Sequence, residues 1–270
     1  MLCSARAIPI APRHDRYPHR MKCIVVIPTY NESDNIREIA RGVLAHDGLD
    51  LLIVDDNSPD GTGRIADELA AQSAGRMFVR HRAAKSGLGR AYVEAYGWCM
   101  ERGYDAIGQM DADLSHDPKS LPDLFGAARD GADVVIGSRY LNGISVINWP
   151  LRRILLSLGA NDYVRRITGV PVHDATSGFR VYSARALSAM NVGTVTSSGY
   201  SFQVEMTYRA HLCGAAIVEV PIIFTERRLG QSKMSQGVIL ESALMPWRLV
   251  LHRAAVRREL GDLGRESEIA

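Results

Sequence analysis

The chain has 270 residues, 46% hydrophobic and 23% charged, the balance of a folded globular protein with one large α/β domain or two small ones. Its 32 basic and 30 acidic residues leave a formal charge of +2, which gives no footing for nucleic-acid binding. Four cysteines, at positions 3, 23, 99 and 213, are too dispersed for a zinc site or a Cys-x-x-Cys redox pair and fit a reduced, cytoplasmic protein. No run reaches the roughly 20 apolar residues that cross a bilayer, and the N-terminus has no apolar secretory core.

Residues 1–21 read as a disordered, Arg-bearing extension, with Met21 as a second candidate start. Ile24–Ile27 is then a continuous β-branched run, a strand buried on both faces, closed by Pro28. The chain next alternates: helix Asp34–Ala45, strand Leu51–Val54, helix Ile65–Gln72, strand Arg76–Arg80, helix Leu88–Glu101, strand Ala106–Met110, helix Leu121–Arg129, strand Asp133–Ile136. Such alternation predicts a Rossmann-like, mostly parallel sheet flanked by helices. After about residue 138 the pattern changes. Pro150 opens a helix over Leu151–Ile167, and Ser183–Met190 and Ser201–Cys213 read as helices. Ala216–Phe224 is a last strand, with Pro221 marking an edge or bulge. Val238–Leu251 is an amphipathic helix, and 254–270 a charged tail. One domain with two lobes, about 22–138 and 139–253, accounts for the whole pattern.

Ligands of open α/β sheets bind beyond the carboxyl ends of the strands. Polar bursts fall there after strands one, two and four: Pro28–Glu32, Asp55–Thr62 and Asp111-Ala112-Asp113. Two carboxylates at i and i+2 leaving a strand can converge on one hard cation, or can simply make a solvated turn. Lys85-Ser86-Gly87-Leu88-Gly89 opens a helix whose free N–H groups attract phosphate; a glycine turn with a surface lysine is the plainer alternative. His116 and His173 read as hydrogen-bonding residues, and Glu205 as a partner for a cation or a support for the acceptor arm.

These segments, in this order, resemble family 2 glycosyltransferases of the GT-A fold, and within them the polyprenol-phosphate mannose synthases. The matching stretches are PTYNE at 28–32, DDNSPDGT at 55–62, KSGLG at 85–89, DADLSH at 111–116, GSRY at 137–140, TSGFRVY at 176–182, YSFQVEM at 200–206 and RRLGQSKM at 227–234. The resemblance implies that Pro28, Tyr30, Glu32, Asp55 and Asp56 hold the nucleoside, with Lys85, Gly87 and Ala112 on the same nucleotide side. It implies that Asp111 and Asp113 bind Mg²⁺ or Mn²⁺ with the diphosphate, and that Ser115 stands where relatives often carry a metal-binding Gln. Asp117 replaces a proline common after the histidine. Arg139, Ser177, Arg180, Arg227 and Lys233 match positions that handle phosphates, with Arg139 and Arg180 expected at the reacting centre. The family's usual donor is GDP-mannose and its acceptor a polyprenyl phosphate.

A phosphate monoester is largely dianionic at neutral pH, so such an acceptor needs cations to hold it more than a base to activate it. The expected reaction is an inverting single displacement. Glucosyl transfer from UDP-glucose, nucleotidyl transfer and a silent nucleotide-sugar-binding subunit are the alternatives. The stripe Leu151, Ile154, Leu155 and Leu158, flanked by arginines, and the final helix with Leu240, Leu244, Trp247 and Leu251 are candidates for peripheral contact with the cytoplasmic face of a membrane. Packing on the main domain is the other reading, and attachment through a membrane-protein partner is a further route to the lipid.

Overall fold

The computed structural model describes residues 21–85, 87–195, 197, 199–226, 236–261 and 263. Strands β1 (Cys23–Thr29), β2 (Leu49–Asp55), β3 (Met77–His81), β4 (Ala106–Gln109), β5 (Val134–Ser138), β7 (Arg180–Ser183) and β8 (Ile217–Pro221) form one sheet in the order β3-β2-β1-β4-β7-β5-β8. A small second sheet pairs β6 (Val146–Ile147) with β9 (Phe224–Thr225). The helices are α1 (Ile36–Leu44), α2 (Thr62–Ala71), α3 (Leu88–Glu101), α4 (Leu121–Arg129), α5 (Leu151–Thr168), α6 (Ala184–Ala189), α7 (Gly199–Leu212), α8 (Gln236–Leu251) and α9 (Arg253–Glu259). The expected extension over residues 1–20 lies outside the described residues, as do Arg227 and Lys233.

Each central strand is buried on both sides, and its side chains divide between two cores. Ile24 and Val26 of β1 pack with Tyr92 and Tyr96 of α3 and Phe202 of α7. Val25 and Ile27 face the other way, toward Ile36 and Ile39 of α1 and Phe125 of α4. This two-sided burial is why the strands read as unbroken apolar runs. Pro28 does not end β1 as expected; the strand continues to Thr29 and pairs Pro28 with Val54. Val26 accepts from Met110 on the β4 side and Thr29 from Asp56 on the β2 side. By alternation, the Pro28 nitrogen faces β4, where the ladder has already ended at Val26, so its missing N–H costs nothing.

The main departure from a parallel sheet is β7, which lies antiparallel between β4 and β5. It carries Arg180 into the interior with no exposed surface. The guanidinium donates to the carbonyls of Ser177 (2.7 Å), Ala175 (2.6 Å) and Gln203 (3.1 Å), to Thr207 Oγ1 (2.8 Å) and to Tyr182 Oη (3.3 Å). This corrects the expectation that Arg180 handles a phosphate. Its hydrogen bonds go to the 175–177 turn, to α7 and to Tyr182, and it does not line the cavity described below.

The two glycines after Lys85 answer to different needs. Gly87 precedes α3 with φ +98°, a backbone that side chains rarely adopt. Gly89 answers to packing instead: a Cβ there would lie 2.3 Å from the Ser197 carbonyl oxygen and 3.0 Å from the Phe202 ring. Gly89→Ala is expected to destabilise by about 1–3 kcal/mol through overpacking, read from the denaturant midpoint. Arg180→Met leaves several buried acceptors without donors and is expected to cost about 3 kcal/mol. Unchanged stability with abolished turnover in that variant would return Arg180 to a direct role at the phosphate.

Candidate active site

The rim beyond the carboxyl ends of β1 and β2 is built by two loops that hold each other. Backbone N–H groups of the β1–α1 loop donate to side chains of the β2–α2 loop: Asn31 to Ser58 Oγ (3.1 Å), Glu32 to Thr62 Oγ1 (2.9 Å) and Ser33 to Asp60 Oδ2 (3.1 Å). Asp60 also accepts from the Thr62 N–H (3.0 Å) and hydroxyl (2.6 Å). Asp55 accepts from Thr29 Oγ1 (3.1 Å) and from the hydroxyl (2.6 Å) and N–H (3.0 Å) of Ser58. It is buried and shapes the rim from beneath, whereas it was expected beside the nucleoside. Its neighbour Asp56 is held at 2.5 Å by Arg82, which also grips Glu94 at 3.0 and 3.1 Å. Lys85 lies 3.7 Å from the centroid of the Tyr30 ring, so two expected nucleotide-side residues meet across the rim. Glu32 accepts from Asn35 Nδ2 (2.8 Å). Pro28 stands at the end of β1 and Ala112 is buried between the two acids.

Asp111 and Asp113 leave β4 on a tight turn in which Leu114 takes φ +61°. That unusual backbone returns Ser115 onto Asp113: its hydroxyl donates at 2.5 Å and its N–H at 3.1 Å to Asp113 Oδ1. Ser115 therefore braces the carboxylate beside which it was expected to act as a ligand. His116 accepts the Asp111 N–H at Nδ1 (3.2 Å), which puts its own proton on Nε2. The ring is buried and stacks on Phe179 at 4.9 Å, and burial pushes its pKa down to about 4. It is a neutral, pinned residue, as a structural histidine should be. Opposite the acids stands Gly178, where a Cβ would come within 3.4 Å of Asp111 Oδ2. Bare backbone thus bounds Asp111 on that side. Among the described residues no group of three or more His, Cys, Asp or Glu side chains could enclose a metal. Two carboxylates at i and i+2 fit a hard cation such as Mg²⁺ or Mn²⁺ that takes its remaining oxygens from a diphosphate and water.

A cavity of about 610 Å³ begins at Asp111 and Asp113 and extends along α5 toward α7 and α8. Its head is polar, with Arg139, Arg153, Thr176 and Ser177; its body is apolar, with Leu155, Leu156, Ala160, Val164 and Val204. Arg139 is 6% exposed and forms a bidentate pair with Asp174, both contacts at 2.6 Å, with a further bond to Thr176 Oγ1 (2.7 Å). Burial opposes the charges of this pair. The mutual attraction and hydrogen bonds outweigh it, so the Arg139 pKa is raised and that of Asp174 lowered. Nη1 of Arg139 takes no partner among the described residues. Ser177 lines the cavity, but its hydroxyl donates to the Gly137 carbonyl (2.6 Å) and so pins the turn.

Arg153 was read only as a charge flanking a helix stripe. The fold places it on the cavity, paired with Glu226 and 4.0 Å from the Trp149 ring centroid. Trp149, Ser157 and Phe224 also line the cavity and carry no motif that sequence reasoning would single out. His173 pairs with Glu219 at 2.7 Å and Glu205 with Arg209 at 2.8 Å, so both have structural partners.

The family model for glycosyl transferase family 2 matches residues 24–190. A polyprenol monophosphomannose synthase of Mycolicibacterium smegmatis is 48% identical over 222 residues, covering 82% of this chain and 84% of its own. An undecaprenyl-phosphate mannosyltransferase of Micrococcus luteus is 44% identical over 245 residues, covering 89% and 100%. Among solved structures, a glucosyl-3-phosphoglycerate synthase of Mycobacterium tuberculosis, in complex with Mn²⁺, UDP and glucosyl-3-phosphoglycerate, superposes with a TM-score of 0.59 at 20% identity, covering 90% of this chain and 82% of that one. A mannosyltransferase of Pyrobaculum calidifontis, in complex with GDP-Man and Mn²⁺, gives 0.53 at 16% identity, covering 88% and 74%. The mostly parallel sheet, the paired acids at its rim and the match across more than half the chain have one conclusion: this protein belongs to glycosyl transferase family 2 and is a glycosyltransferase of the GT-A fold.

Proposed function

We propose that the protein transfers mannose from GDP-mannose to a polyprenyl monophosphate with inversion at the anomeric carbon. The observation that carries this reading is the single cavity that starts at two carboxylates, passes two arginines and continues into an apolar trough. A prenyl phosphate has the same order of parts: an anionic head and a hydrocarbon body. The names of the two bacterial relatives, a polyprenol monophosphomannose synthase and an undecaprenyl-phosphate mannosyltransferase, support the same acceptor and sugar.

In this reading Tyr30, Glu32, Asp56 and Lys85 receive the nucleotide on a rim already fixed by the bonds between its loops. Asp111 and Asp113 would hold Mg²⁺ or Mn²⁺, a choice supported by the Mn²⁺ in the two structural neighbours. When bound, the cation neutralises the diphosphate leaving group. Ser115 keeps Asp113 in position. Arg139 and Arg153 receive the acceptor phosphate at the cavity head. An acceptor oxygen then forms the bond to the anomeric carbon as the bond to the diphosphate breaks, and the diphosphate leaves with the electron pair. No base is required, because the attacking oxygen is already ionised. His116, neutral and accepting from the backbone, contributes orientation rather than proton transfer.

The trough reaches an apolar face. Leu155 and Leu156 line it and are 60% and 56% exposed, beside Leu151 on the same helix. Tyr163 of α5 donates to the Ala243 carbonyl of α8 (2.7 Å), and α8 adds the exposed Leu244, Trp247 and Leu251. Arg152, Arg166 and Arg248 are exposed on these two helices. No helix among the described residues is long and apolar enough to cross a membrane. This face suits a helix pair lying at an anionic lipid surface, from which the acceptor enters the trough.

With purified protein, Mg²⁺, polyprenyl phosphate and labelled GDP-mannose, label is expected in the organic phase. EDTA or Asp113→Asn is expected to reduce it to background, and Mn²⁺ to restore the EDTA-treated enzyme. Label from UDP-glucose but not from GDP-mannose would keep the site and change the sugar; none from either would overturn the transfer reading. Separately, the combined Leu151→Ser, Trp247→Ser and Leu251→Ser variant is expected to lose most of its sedimentation with anionic vesicles while keeping its circular dichroism spectrum. Undiminished sedimentation would remove the face from membrane contact.

A further inference from the structure

Trp149 lines the cavity beside the two arginines of its polar head. Its indole is a shared platform for two cations from different elements. Arg153 of α5 lies 4.0 Å from the ring centroid, and Arg139, at the end of β5, lies 5.5 Å from it. Phe224 closes a third side edge-on, at 5.3 Å. In this enclosure the indole nitrogen Nε1 is buried and has no hydrogen-bond acceptor. A buried N–H without an acceptor is costly, and native proteins retain few of them. Here the neighbourhood explains what would satisfy it. Nη1 of Arg139 also takes no partner among the described residues, so this cluster holds two N–H donors left for an anion. The protein carboxylates nearest to them are already engaged, Asp174 with Arg139 and Glu226 with Arg153.

We infer that Trp149 Nε1–H is a neutral donor to the phosphate of the acceptor, completing with Arg139 and Arg153 a three-sided anion seat at the mouth of the hydrocarbon trough. The inference rests on the lipid-phosphate reading above and adds a residue to it. A neutral donor has a defined use at this point. It adds direction to the grip of the two charges, so that one phosphate oxygen is held and the others remain turned toward Asp111 and Asp113. The same indole presents its apolar edge to the first carbons of the prenyl chain, which suits a residue standing where the ligand changes from anionic to apolar.

The test uses the full chain with geranyl phosphate as a soluble probe, and geraniol as the control. The chain has three tryptophans, Trp98, Trp149 and Trp247, so three indole N–H signals are expected in a ¹⁵N-correlated NMR spectrum, and Trp149→Phe identifies one of them by its loss. That signal is expected to move downfield with geranyl phosphate and not with geraniol. Trp149→Phe keeps an aromatic face for both arginines and removes only the N–H. It is expected to raise the KM for geranyl phosphate roughly tenfold, with the KM for the nucleotide sugar little changed. If wild-type protein transfers sugar to geranyl phosphate while the signal stays in place, the inference fails and the lipid-phosphate reading stands. An unaltered acceptor KM in Trp149→Phe has the same meaning. If the wild-type protein neither binds nor uses geranyl phosphate under conditions where it binds the nucleotide sugar, the lipid-phosphate reading falls and the inference with it.

Discussion

A guanidinium taken fully out of water must give its N–H groups to oxygens, and the part of this protein after β5 is arranged around that requirement. Arg180 sits in the only strand of the seven-stranded sheet that runs against both of its neighbours. Its bonds reach back to Ala175 and Ser177 and across to Gln203 and Thr207 on α7. The turn so fixed holds Asp174, which grips Arg139, and Gly178, which bounds the space before Asp111. One buried cation thereby sets the position of a second buried one and of the wall facing the acids. A charge with this many neutral acceptors and no carboxylate beside it among the described residues is tolerable only if the geometry is complete.

The rim formed by the β1–α1 and β2–α2 loops meets a different constraint. Loops at the rim of a parallel sheet expose backbone N–H groups that have left the ladder and still need acceptors. Here Ser58, Asp60 and Thr62 supply them to residues 31–33, so two loops far apart in sequence become one surface. The surface is ready before a ligand arrives, which spares the cost of ordering it on binding. The acids of the third loop are steadied in the same way, Asp113 by Ser115, with His116 holding the backbone of Asp111.

Much of this architecture is legible in the sequence because burial on both faces leaves an unbroken apolar run. The helices Leu88–Glu101 and Leu121–Arg129 emerge with the same ends in sequence and structure. What is hidden is whatever depends on a partner distant in the chain. β7 is four residues long and begins with a charge, so nothing local marks it as a central strand. Asp55 and Asp56 are adjacent and chemically alike, yet one turns inward to brace a loop and the other pairs with Arg82. Arg153 has the ordinary look of a solvated helix cation until the fold brings Trp149 and Glu226 to it. The reverse error occurs at Arg180, which sits in a motif resembling phosphate-handling ones and is a core residue. Motif position is read from the chain; the direction of a side chain is decided by which strand lies beside it.

The size of the cavity has a consequence for what the enzyme can distinguish. At about 610 Å³ it is on the scale of a pocket for one small molecule. For the proposed acceptor that is room for the phosphate and the first few isoprene units, not for a chain of many. The rest of that lipid would lie outside this volume. Selection then acts on the head of the chain, through the saturation and geometry of its opening units, while the far end is free to vary. For that acceptor, the cavity would read the first units of the chain and not its total length.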